Sequence, residues 1–396
     1  MKRQVFGFSL LAIAIGLIGM LVVQAQRKAP VLNAPNPATA NPAIVTDYKV
    51  DANYRLSGPY SHKNLAIFLI HGADAGSPAA PLTLKEAMEQ KKVVVHETGE
   101  VNQLAIENVS NEEVFVQSGD IVKGGQQDRV LAIDLIVPAR SGKIPIESFC
   151  VEQGRWARRG DEVATAFSAS EKMLNTKELK IAAKHRASQE EVWQNVAKSQ
   201  DKMSAGVIAM SPAAMQRLPA DAIGAAGRVN QQAAGGGGQQ AEAYDFSVAS
   251  SASRSSLQLA LENKTLNETA GDYLKQLSPI INNKTDVIGY AFAINGQLNS
   301  ADVYSSHALF KKLWPKLLEA NVTEAIGEFE KDQPLGTVTA DEVKAFLNDP
   351  VAGKAEMKNL TARVTTVKRE TLKNLFFETR DRKRSNAWVH RNYIAK

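Results

Sequence analysis

The side chains best suited to chemistry lie between Gln117 and Trp156. They are three carboxylates (Asp120, Asp128, Glu152), three cations (Lys123, Arg129, Arg155), an indole (Trp156) and the chain's only cysteine, Cys150. Arginine offers a planar fork of donors that fits a phosphate or carboxylate, and an indole offers a stacking face. Lys123, Asp128, Arg129, Arg155 and Trp156 therefore form the expected ligand-binding set for a small anion. Asp120, Glu152 and Asp134 are weaker candidates for acid/base work on a glycosidic or phosphate bond. Cys150 is a weak candidate nucleophile, because Glu152 two residues away on the same strand face raises a thiol's pKa unless an arginine offsets it. A second arrangement fits the same residues: Gly119, Gly124 and Gly125 shape a hairpin turn whose charges pair with one another. Asp134 is the lone charge of an apolar run, so it needs a buried partner, with Arg129 or Arg140 the nearest in sequence.

Within this stretch the chain resembles a known family. Ser118-Gly119-Asp120, Lys123-Gly124-Gly125 and Gln127-Asp128-Arg129, followed by Ser148 to Glu152 and Gly154-Arg155-Trp156, look like the paired motifs of the ADP-ribosylglycohydrolase and rhodanese/phosphatase superfamily-associated proteins. The resemblance spans residues 48 to 320 and is looser outside these forty residues. The family's association with ADP-ribose metabolism implies a nucleotide-derived ligand; it implies no reaction and no cofactor.

Other chemistries lack their spacing. Phe68 to Gly72 looks like the strand and turn of an α/β-hydrolase, but no Gly-x-Ser-x-Gly follows to supply a nucleophile elbow, so His71 reads as a strand-end residue. The six histidines are scattered without metal-ligand spacing, so no metal site is expected. The glycines near Lys123 do not make a P-loop.

These residues need a scaffold that brings strand ends together. Leu65–Ile70, Val93–His96, Leu104–Val109, Val114–Gln117, Val130–Val137 and Ile144–Val151 read as strands, and Val130–Val137, apolar on both faces, as one central buried strand. Ser168 with Glu171 and Ser188 with Glu191 have capping-box spacing, which predicts helices from there to about Met203. A helix over 255–277, a hairpin through Asn295-Gly296, a helix over 306–320 and three strands near 360–367, 372–379 and 387–394 complete the pattern. The expected fold is α+β: a strand-rich N-terminal half, a sandwich or partly closed barrel, with helices packed on it.

The expected organisation is a signal peptide or anchor at 1–25, a Pro/Ala linker at 26–47, the strand-rich half at 48–205, a flexible Gly-rich insertion at 206–243, the rest of the domain at 244–325 and a strand-containing extension at 326–396. Lys2 and Arg3 precede an uncharged stretch from Val5 to Val23, and Val23-Gln24-Ala25 is a small-residue cleavage pattern. This reads as export to the periplasm or beyond, with the segment either cut or kept as a membrane anchor. The formal charge of +5 falls to +3 without Lys2 and Arg3, so no specific nucleic-acid partner is expected. The basic turn Arg380–Arg384 reads as a solvated hairpin tip or as a second membrane contact. Three function classes stay open: an anion-binding domain, a hydrolase and a structural envelope protein.

Overall fold

Leu65–His71 is apolar at nearly every position, so it needs cover on both faces, and it has it. The computed structural model describes residues 43–44, 54–74, 80–155, 159, 166–210, 246–331 and 336–396. The expected export segment, most of the linker, residues 211–243 of the insertion and Trp156 lie outside the described residues.

Residues 42–396 form one unit. The chain enters through β1 (Ala43–Ile44) and the hairpin β2 (Arg55–His62) and β3 (Leu65–His71), then β4 (Leu82–Thr83) and α1 (Leu84–Glu89). The strands β5 (Val93–Glu97), β6 (Gln103–Asn108), β7 (Val114–Val116), β8 (Asp120–Gly124), β9 (Arg129–Leu131), β10 (Leu135–Val137), β11 (Gly142–Cys150) and β12 (Phe167–Met173) follow. Next come α2 (Lys177–Lys180), a π-helical turn (Ile181–Arg186), α3 (Gln189–Met210), α4 (Leu257–Leu261) and α5 (Lys264–Leu277). The hairpin β13 (Val287–Ile294) and β14 (Gln297–Tyr304) leads to α6 (His307–Gly327) and α7 (Ala340–Asn348). Four strands close the chain: β15 (Lys354–Asn359), β16 (Val364–Glu370), β17 (Asn374–Asp381) and β18 (Ala387–Ala395).

Three sheets result, and with the helices they make the mixed α+β fold. The largest has nine strands in the order β1-β15-β16-β17-β18-β14-β13-β3-β2; a second has six, β12-β8-β9-β11-β6-β5, and a third has three, β10-β7-β4. The C-terminal strands are therefore no appendage. β18 lies between β17 and β14 in the middle of the large sheet, and one apolar core runs from Leu65 and Val130 through Phe310 to Val389.

Four expectations change. The run Val130–Val137 is two strands, not one: β9 belongs to the six-stranded sheet and β10 to the three-stranded one, with the break at Ala132–Asp134. The chain leaves its first sheet there because Asp134 has polar partners to reach. Ser168 and Glu171 do not open a helix. They lie in β12, where the Ser168 hydroxyl donates to the Lys123 carbonyl and Glu171 pairs with Lys85. The helix expected to end near Met203 continues to Met210, because Gly206 lets α3 pack directly on α6. A Cβ there would stand 1.8 Å from the Ile326 carbonyl oxygen, a distance no side chain tolerates. Residues 255–277 form two helices, each with its own cap: Ser256 accepts from the Leu259 N–H and Asn263 from the Leu266 N–H.

Candidate functional site

The turn between β8 and β9 is built by Asp128, wholly buried, which accepts from the Gly124 N–H at 2.9 Å. Its carboxylate also takes the Arg159 guanidinium at 3.0 Å and the Ser256 hydroxyl at 3.2 Å. Glu152, equally buried, binds Arg155 Nε at 2.7 Å and lies 3.6 Å from Arg159. Asp128, Glu152 and Arg155 thus meet beside the glycine turn, with Arg159 as a fourth member that the sequence did not single out. Two carboxylates face two guanidinium groups in this knot.

The remaining candidates turn elsewhere. Arg129 is paired across the ladder with Cys150, touches its sulfur, and reaches Gln127 at 3.1 Å and Glu97 at 3.8 Å. Burial pushes the Cys150 thiol up to about 11, with Arg129 opposing only part of the rise; at neutral pH it is a thiol, not a nucleophilic thiolate. Asp120 accepts from the Gln117 N–H and from Lys316 at 2.6 Å, and Lys123 meets Glu262 at 2.8 Å. Trp156 lies outside the described residues.

Asp134 leads to a different centre. Its expected partners, Arg129 and Arg140, are not the ones it has: it accepts from His390 Nδ1 at 2.7 Å, from the Thr379 hydroxyl at 2.6 Å and from the Ser118 N–H at 2.8 Å. The break between β9 and β10 carries this carboxylate toward the middle of the nine-stranded sheet. There His390 Nε2 meets Asp302 at 3.0 Å, and Asp302 also accepts from Asn392 at 2.8 Å and from the Tyr290 hydroxyl at 3.1 Å. Tyr304 stacks on the imidazole at 4.5 Å and 12° and donates its own hydroxyl to Gln117.

A carboxylate oxygen faces each ring nitrogen, so both nitrogens donate and the ring is the imidazolium. Burial alone would lower the His390 pKa, but Asp134 and Asp302 outweigh it and raise it. Conversely, burial disfavours the Asp134 carboxylate, yet His390 and Lys184 hold it far below the usual range.

This group forms one wall of a small, partly open cleft whose water-accessible room is about 20 Å³. Gln117, Lys180, Lys184, Asn321, Asp302 and His390 contribute its polar lining, and Met173, Leu174 and Leu317 its apolar side. Among the described residues neither Lys180 nor Lys184 pairs with a carboxylate; Lys184 reaches the Asn392 amide oxygen at 3.3 Å. Asn321 is wholly buried, and neither amide atom has a hydrogen-bond partner of ordinary geometry. One turn further along α6, Glu324 has one oxygen bound by Asn299 and the Lys177 N–H and the other unbound. Burial pushes its carboxyl up to about 7, with Lys180 opposing part of the rise.

His390, Asp302 and the two lysines were missed in the sequence. The available signal was that Asp134, Asp302 and His390 are each ionisable residues inside apolar strands, and buried charges must find one another.

No curated protein and no solved structure matches the chain. A family model does match it, over residues 53–394, and so takes in the C-terminal strands that carry His390. The chain belongs to the ARG and Rhodanese-Phosphatase-superfamily-associated Protein (ARPP-1) domain family.

Proposed function

We propose that this domain binds a small anionic ligand in the cleft beside His390, on the side of the Gln117–Gly119 turn away from the Asp128–Glu152 knot. The observation that carries the reading is that, among the described residues, Lys180 and Lys184 line the cleft with no carboxylate in salt-bridge contact while the imidazolium forms its wall. Three cations face Asp134 and Asp302, with Glu324 beyond them near Lys180, so the cleft carries a net positive charge while the Glu324 carboxyl is protonated. In the low-dielectric surroundings of a cleft that charge attracts an anion more strongly than it would in water. The Gln117–Gly119 turn then contributes the rim and the Gln117 amide, while Arg155 and Arg159 hold the neighbouring glycine turn in shape. The N-terminal basic residues and apolar run support the further reading that the domain works outside the cytoplasm, released or anchored.

Isothermal titration with inorganic phosphate, acetate and ADP-ribose tests the binding. At least one is expected to bind, with Lys184→Ala weakening it about tenfold, as for loss of one charge-assisted contact. Binding is expected to weaken as pH rises through the His390 pKa and the imidazolium is lost. Absence of binding by all three, or binding by Lys180→Ala and Lys184→Ala as tight as by wild type, would overturn the reading.

A further inference from the structure

His71 ends β3, next to the outer strand of the large sheet and three strands from His390, and the sheet surrounds it with a second constellation. The β2–β3 register pairs Arg55 with His71 and Ser57 with Leu69, so Ser57 and His71 are diagonal neighbours on one face. Asp286 immediately precedes β13, whose Val287 pairs with His71, and the Gly72 N–H fixes the Asp286 carbonyl at 3.0 Å. Three residues remote in sequence thereby converge. Ser57 Oγ lies 2.7 Å from His71 Nε2, and His71 Nδ1 lies 2.9 Å from Asp286 Oδ1.

The protonation pattern follows from the partners. An ionised carboxylate only accepts, so Nδ1 carries the ring proton and Nε2 is left to accept from the serine hydroxyl. Arg55 holds the other Asp286 oxygen. The hydrogen bond from His71, opposed in part by burial, keeps the Asp286 carboxyl below its usual range. Each member then has the role it holds in a nucleophile–base–carboxylate triad, an arrangement recognised by geometry and found on unrelated folds. The missing Gly-x-Ser-x-Gly elbow excludes one fold, not this chemistry. Ser57 is half-buried on β2, the outer strand of the sheet, and is followed by the exposed residues Gly58 and Pro59. Gly58 has φ +113°, and a Cβ there would stand 2.7 Å from the Ile67 carbonyl oxygen, so only glycine permits this bulge after the serine.

We propose that Ser57 is an acyl-transfer nucleophile acting on carboxylic esters, with His71 as its base and Asp286 as the residue that positions His71. Ser57 Oγ attacks the ester carbonyl carbon and its proton passes to His71 Nε2. The bond from that carbon to the leaving oxygen breaks, and the same proton leaves with the alcohol. Water, deprotonated by His71, then attacks the acyl-serine, and collapse returns the proton to Ser57 Oγ and frees the acid. Ester and water become acid and alcohol, with no other reactant. The Tyr60 hydroxyl, 3.4 Å from Ser57 Oγ, is assigned as the donor to the oxygen that becomes negative.

The test uses the full chain with a fluorophosphonate probe and with p-nitrophenyl acetate. One probe adduct at Ser57 is expected by peptide mapping, together with ester hydrolysis above the buffer rate. Ser57→Ala is expected to abolish both, and His71→Gln to lower kcat by about 10³-fold or more. Asp286→Asn, which supplies the wrong imidazole tautomer, is expected to lower kcat by a similar factor with KM nearly unchanged, and Asp286→Glu to recover part of it. Urea unfolding of each variant separates loss of chemistry from loss of fold. No labelling of folded wild-type protein, labelling elsewhere, or hydrolysis that survives in folded Ser57→Ala would overturn the proposal.

Discussion

His71 and His390 are both nearly buried and both bound to aspartate, yet their surroundings prepare them for opposite tasks. His390 has a carboxylate at each ring nitrogen, with Asp134 and Asp302 as buried as the ring itself. Losing either proton would strand a buried charge, so the ring stays a cation to a higher pH than a free histidine, holding strands together and lending its field to the cleft. His71 has a carboxylate at Nδ1 only, from an aspartate about half exposed, and a serine hydroxyl at Nε2. That nitrogen is free to take a proton and give it back. The second partner of a buried histidine, more than its burial, separates a structural ion from a base.

Removing the ring should separate the two most sharply. His390→Gln leaves two buried carboxylates without their cation and is expected to cost about 3–5 kcal/mol in urea unfolding. The His71→Gln variant should cost far less, because water can solvate Asp286. The His390 penalty should also depend on pH. A histidine with a raised folded pKa stabilises fully below its ordinary 6.5 and loses that contribution as pH rises through the folded value. Asp134, with a lowered pKa, contributes above its ordinary 3.8 and loses the contribution only as pH falls toward the folded value. The gap between wild type and His390→Gln should therefore be widest between these limits and shrink above pH 6.5. A penalty below about 1 kcal/mol, or one that grows with pH, would break the comparison.

Glu324 sharpens it from the other side, as a buried carboxyl without a close cation. Its pKa, raised from 4.5 to about 7, means that stability is present at low pH and declines as pH rises from 4.5 through 7. Glu324→Gln should remove that decline, gaining about 2–3 kcal/mol on wild type at pH 8.5 compared with pH 4.5. A pH-independent difference would mean that the carboxyl is stabilised by something other than burial and its neighbours. The smallest effect belongs to Arg55→Ala. The Arg55–Asp286 pair is 64% and 49% exposed, so the loss in thermal or urea unfolding should stay below about 1 kcal/mol. A larger loss would make the His71 edge a structural ion network like the one at His390.

The architecture was more legible than its centres. Apolar runs located β3, β6, β11, β13 and β18 because burial dictates residue type along a strand, and Asn295-Gly296 marked its hairpin because that turn requires positive φ. Capping signals were legible only in part. Thr83 and Glu86 form a true capping box that opens α1, while Ser168 and Glu171, with the same spacing, lie in a strand. Four residues cannot say whether the partners across the sheet offer a better hydrogen bond. Asp128, Glu152 and Arg155 come together beside the motif-bearing turn because β9 pairs antiparallel with β11, which brings the start of one and the end of the other together. Neither histidine centre was legible, since Asp134 reaches His390 across 256 positions and His71 reaches Asp286 across 215. Such pairs are set by the order of strands in the sheet, which local spacing does not encode.

The central position of β18 has a consequence for how the protein is made. The six-stranded sheet draws only on residues between Val93 and Met173, so it can close while synthesis continues. The nine-stranded sheet cannot, because the strand that joins its two halves is residues 387–395. Until those residues emerge, Asp134 and Asp302 wait without their cation and β14 and β17 wait as open edges. Non-local pairing of this kind forms slowly and leaves sticky edges exposed meanwhile. The growing chain is therefore at its most vulnerable until β18 emerges, and a holdase that shields β14 and β17 would act in that interval.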